Sequence, residues 1–134
     1  MSKPDNILDK RMVNALLKQA DFNLLGKMML GFDGKIGLAI SKKMMGGMWV
    51  GGNAYLKPET IEFHPNILNK LFHTDAEDLR VVIPLAELTS TKKRFGIGTQ
   101  ILDLNTQDAT LSIRCLNLAS FAAAIGNARR KIDV

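Results

Sequence analysis

Cysteine is almost missing from this chain: Cys115 is the only one in 134 residues. No intrachain disulfide can form, so the fold must rest on an apolar core. Cys115 lies in the alternating run Leu111, Ile113, Cys115 and reads as a small buried apolar residue. A reducing cytoplasm is the expected compartment, and no targeting signal is expected either, because Lys10, Arg11 and Lys18 interrupt the first apolar residues. Long apolar runs are missing too. The stretch 28–54 carries Asp33, Lys35, Lys42 and Lys43, short of the roughly 20 apolar residues that a spanning helix requires.

Catalytic signatures are equally sparse. No serine sits in a Gly-x-Ser-x-Gly elbow, and Gly96-Ile97-Gly98 lacks the third glycine and the strand-to-helix setting of a dinucleotide site. His64 and His73 are the only histidines, and their spacing to Asp75, Glu77 and Asp78 matches no compact metal motif. The chain is therefore expected to be no enzyme and to need no metal or cofactor. Repeats, low-complexity tracts and linkers are absent, which leaves residues 1–134 as one domain.

What is present is an ordinary globular composition, 46% apolar and 23% charged, with a net charge of +5. That charge favours anionic partners in general. Residues 4–20 place Leu8, Met12, Ala15, Leu16 and Ala20 at helical spacing, so an amphipathic helix is expected within an N-terminal extension over 1–25. Glycines interrupt the next segment, where Ile36, Leu38 and Ile40 alternate as in a strand. A turn over 42–47 then leads into a strand over 48–56.

Further strands are expected over 60–64, 80–83, 88–95, 97–105 and 109–115, bounded by Pro58, Pro65, Pro84 and the glycines at 96 and 98. Residues 66–78 form a connection, with a helical turn through Ile67, Leu68, Leu71 and Phe72. The last element is a helix capped by Asn117, with Leu118, Phe121, Ala122, Ile125 and Ala128 along one stripe and Arg129, Arg130 and Lys131 in its last turn.

Three stretches together resemble the pleckstrin-homology-like superfold, most closely its GRAM-type and bacterial PH-like members. GGNAYLKPETIEFHP is similar to the family's hairpin. RVVIPLAEL is similar to its strand and corner, with Ile83, Pro84, Leu85, Glu87 and Leu88 at the matching places. A further hairpin and a C-terminal helix bearing a Phe complete a likeness that covers residues 36–131.

The resemblance implies a mainly β fold with helices, a barrel of seven antiparallel strands in two near-orthogonal sheets, with Phe121 and Ile125 plugging one end. The Gly-Met-rich first strand and the extra N-terminal helix depart from the family pattern. The resemblance also implies a non-catalytic scaffold that binds phospholipid head groups, peptides or protein partners. Lipid-binding members carry a Lys, a variable gap, then Lys or Arg, any residue, and Arg across the first hairpin. Here Lys42 and Lys43 lead into Met44, Met45, Gly46, Gly47, Met48 and Trp49 without an Arg, so the high-affinity phosphoinositide motif is absent.

Two candidate sites follow. Lys42, Lys43, Met48 and Trp49 could form a tip in which ammonium groups hold anionic head groups while thioethers and an indole enter the interface. The competing assignment puts the methionines in a core or subunit contact. Lys92, Lys93 and Arg94 form a denser cluster that could bind phosphate, or could protect an edge strand from sheet-to-sheet aggregation. Nucleic acid is not an expected partner, because no stacking platform is interleaved with that cluster. The leading expectation is a protein partner or homo-oligomer, drawn from the excess of apolar residues over 12–49. The alternative is peripheral attachment to anionic phospholipid at the inner membrane face through the first-hairpin loop.

Overall fold

The computed structural model describes residues 6–18, 29–30, 47–66, 80–96, 98–107 and 109–132. Among these residues the chain is mainly β with one C-terminal helix. Its strands are β1 (Asp9–Lys18), β2 (Met29–Leu30), β3 (Val50–Leu56), β4 (Thr60–Pro65), β5 (Arg80–Pro84), β6 (Ser90–Phe95), β7 (Gln100–Asn105) and β8 (Thr110–Arg114). Seven of them have five or more residues, and with the two-residue β2 they form one antiparallel sheet in the order β2-β5-β4-β3-β1-β8-β7-β6. A 3-10 turn over Leu85–Glu87 follows Pro84, and the helix α1 spans Leu118–Ile132.

The first element overturns an expectation: residues 9–18 form a strand, not part of a helix over 4–20. Met12 and Leu8, two members of the expected helical stripe, are largely and about half exposed, whereas Val13, Ala15 and Leu17 are buried with the period of two that a strand produces. Leu16 is also buried, and its presence beside Ala15 and Leu17 mimics helical spacing. Two flanking ladders override the local preference for helix. Asp9 to Ala15 pair with β3, and Asn14 to Lys18 pair with β8. β1 is thus shared by both halves of the sheet, and the hydrogen bonding runs through it as one sheet where two are expected. The expected strand over 36–40, the Lys42 and Lys43 loop and the helical turn over 67–72 lie outside the described residues.

The core is built from the inward positions of every long strand except β6, together with α1. Phe63, Leu56, Ile61, Ile83, Leu102 and Leu104 form one buried cluster with Phe121 and Ile125, both fully buried, as expected of the apolar stripe of the last helix. Removing a Phe side chain from water stabilises the fold by up to about 3 kcal/mol. Two arginines clasp α1 to the rest of the fold. Arg11 donates to the Asn117 carbonyl at 3.3 Å and to Ser120 Oγ at 2.8 Å, while Asp9 holds it through a 2.9 Å ion pair. Arg129 donates to the Leu88 carbonyl at 3.1 Å near the other end. Asn117 enters the helix at φ 54°, a left-handed conformation that asparagine tolerates, and its carbonyl accepts the Ser120 N–H at 3.1 Å.

Candidate functional site

Strand alternation separates the basic cluster. Lys92 and Arg94 share the outer face of β6, opposite Asp103 and Ile101 of β7, while Lys93 and Phe95 point to the other face. Among the described residues β6 pairs with β7 alone, which places the cluster at an edge of the described sheet. Arg94 is held in place: its Nε donates to Asp103 Oδ2 at 2.8 Å. Asp103 Oδ1 also accepts the fully buried Ser112 hydroxyl at 2.6 Å. Burial of Asp103 would raise its pKa, but the Ser112 hydrogen bond and the Arg94 guanidinium outweigh it, with Lys18 adding to them, so the carboxyl titrates below its ordinary value.

The first candidate site divides differently. Lys42 and Lys43 lie outside the described residues. Met48 is about half exposed, and the Trp49 ring packs under the Arg114 guanidinium at 5.1 Å. Arg114 in turn donates to Thr99 Oγ1 at 3.0 Å. The indole is therefore engaged on the sheet by a cation from β8, a contact that needs the β1–β8 register to be known.

Sequence reasoning missed Phe95. It reads as the last residue of an ordinary strand, yet it is 89% exposed at the end of β6. The hairpin beyond it closes through a 3.0 Å bond from the Gly96 N–H to the Thr99 carbonyl, with Gly98 at φ 82°. The available signal was its position: it directly follows three consecutive cations and precedes a glycine turn. Leu116, in the turn before α1, is 80% exposed. A shallow depression of about 340 Å³ lies between that turn and the β6–β7 hairpin, lined by Gly98, Thr99, Gln100 and residues 115–119.

His64 belongs to a polar cluster on the outer face of the β3–β4 half. Buried Glu62 accepts from His64 Nε2 and from Lys57 Nζ, each at 3.0 Å. Tyr55 packs on His64 with ring centroids 4.5 Å apart. The imidazole is thereby tied to a carboxylate, while His73 and its acidic neighbours lie outside the described residues. Among the described residues no group of three or more metal-ligating side chains converges, and no helix is long and apolar enough to cross a membrane. Burial pushes the Cys115 thiol pKa above its ordinary value.

No family model matches the chain, and no curated protein does. Among solved structures it is similar to the C-terminal domain of an unknown protein from Leishmania infantum, with a TM-score of 0.57 and 11% identity, over 92% of this chain and 83% of that one. At that identity the likeness concerns the fold alone.

Proposed function

We propose that this chain is a non-enzymatic, cytoplasmic binding module with a PH-like barrel. Support for the barrel comes from β1. It pairs with β3 along one half and with β8 along the other, and Ala15, Leu16 and Leu17 are buried in succession where the two halves meet. A strand with both faces covered at that point is what a sheet folding over itself into two near-orthogonal layers requires. The GRAM-type likeness of the hairpin and the Ile83-Pro84-Leu85 corner agrees with that topology.

The module acts by contact with a protein partner or a second copy. The observation that carries this reading is Met12, 79% exposed in the middle of β1, with exposed Leu8 four residues earlier on the same face of the extended chain and Ile7 and Met48 also open to water; grouped exposed apolar side chains mark contact surfaces. Its test is solution mass across a wide concentration range, for the parent and for Met12→Lys. A mass that rises above 14.8 kDa and falls back in Met12→Lys supports contact with a second copy, and a monomer at every concentration contradicts self-association. A second reading, peripheral attachment to anionic lipid, is favoured by the cationic edge strand that ends in exposed Phe95.

A further inference from the structure

Of the large apolar side chains that stand out from the described surface, Phe95 and Leu116 share one end of the sheet. Phe95 pairs with Gln100, and Ile101 pairs with Arg114. The chain therefore leaves β6 and β8 at the same end, where Thr99 and Leu116 border one depression. β6 lies two strands from β8, about 10 Å by the usual interstrand spacing. Directly before Phe95 come Lys92, Lys93 and Arg94.

We propose that this end of the domain is a contact site for an anionic lipid surface, with Phe95 and Leu116 entering the interface and Lys92 and Lys93 facing the head groups. The proposal rests on the second reading above and replaces the expected loop at 42–43 with the β6–β7 hairpin. Area and charge decide the occupant. Two such side chains offer roughly 300–400 Å², well below the ~800 Å² per partner of a stable protein interface. A second copy would also set this cationic end against its own like charge. A bilayer needs no matching socket: protruding apolar groups enter singly and cations add to them. Arg94 is already held by Asp103, and Lys92 and Lys93 point to opposite faces, so the cations do not converge on one phosphate. Recognition is then of charge density and not of one head group.

The test is co-sedimentation of the full chain with vesicles of phosphatidylcholine alone, and of phosphatidylcholine mixed with either phosphatidylserine or phosphatidylglycerol, with solution mass recorded alongside. The parent is expected to pellet with both anionic mixtures alike and to be released by salt. Phe95→Ser is expected to weaken partitioning about tenfold, and the pair Lys92→Glu and Lys93→Glu by more than tenfold, on the order of what reversing two charges removes. The pair Arg130→Glu and Lys131→Glu makes the same charge change at the far end of α1 and is expected to bind like the parent. Because Phe95 is so exposed, its variants keep the fold. Phe95→Trp on a Trp49→Phe background gives a second readout, a blue shift on anionic vesicles. A parent that ignores every vesicle overturns both the lipid reading and the proposal. A parent that binds while Phe95→Ser and the Lys92, Lys93 pair bind equally well overturns the proposal and leaves the lipid reading standing. Loss of self-association in Phe95→Ser, without any lipid binding by the parent, makes this end a protein contact instead.

Discussion

Gly51 and Gly52 are adjacent in β3, yet an added methyl group meets opposite conditions at the two positions. At Gly52 a Cβ would lie 2.3 Å from the His64 carbonyl oxygen and 2.7 Å and 2.9 Å from two atoms of the Phe63 ring. The nearest obstacle is backbone of the paired strand, since Gly52 is opposite Pro65, and ordinary contact at about 3.5 Å or more would require β3 and β4 to separate locally by about 1 Å. The 2.9 Å bond from the Asn66 N–H to the Gly51 carbonyl resists that separation. Overpacking of this kind costs about 1–3 kcal/mol, and a backbone obstacle places Gly52→Ala at the upper end. For a chain of this length that lowers Tm by roughly 10 °C. At Gly51 the nearest atom is Asn14 Oδ1 at 3.4 Å, and the position is exposed. Gly51→Ala is then expected within about 1 kcal/mol of the parent, on the stabilising side if the loss of unfolded-chain entropy dominates. Thermal and urea unfolding of both variants checks the pair, and equal stabilities would refute the reasoning.

Arg11→Gln should lower stability by about 1–2 kcal/mol, because it removes the Asp9 ion pair and the tie to the start of α1 at a site still partly open to water; urea midpoints that do not move would contradict this. Asp103 has a folded-state pKa below its unfolded value of about 3.9, so its stabilisation is fully present above that value and is lost as pH falls through the folded-state pKa. Asp103→Asn should therefore unfold less steeply than the parent between neutral and strongly acidic pH, although it is less stable at pH 7, and parallel acid titrations of stability would count against it. Cys115 is buried with a raised thiol pKa, so it should react with a thiol reagent far more slowly in the native protein than in urea, and equal rates would place it at the surface.

Much of the fold was legible where turn chemistry punctuates alternation. Pro58, Pro65, Pro84 and the glycines near 96–98 bound strands found at Val50–Leu56, Thr60–Pro65, Arg80–Pro84 and Gln100–Asn105. The C-terminal helix was legible as well, since Leu118, Phe121, Ala122, Ile125 and Ala128 repeat at helical spacing and all but the partly buried Ala122 are buried. β1 was not, because a strand covered on both faces at Ala15 to Leu17 imitates a helical stripe in a segment rich in helix-forming residues. β6 begins two residues later than its expected start at 88, because the 3-10 turn after Pro84 takes up chain before the strand starts. The tie of Arg94 to Asp103 depends on the register of one hairpin, and that of Arg114 to Trp49 joins segments distant in sequence, so only the strand pairing discloses them. The exposure of Phe95 likewise depends on how the end of β6 sits in the folded chain, a tertiary fact that no local pattern carries.

The measurement that bears most directly on a binding module is sedimentation of the purified chain with neutral and anionic vesicles at low and high salt, with its solution mass followed in the same buffers. The account predicts engagement of at least one partner surface, either salt-sensitive pelleting with anionic vesicles or a discrete assembly above 14.8 kDa. A monomer that stays in the supernatant with every vesicle, at every salt concentration, would contradict it.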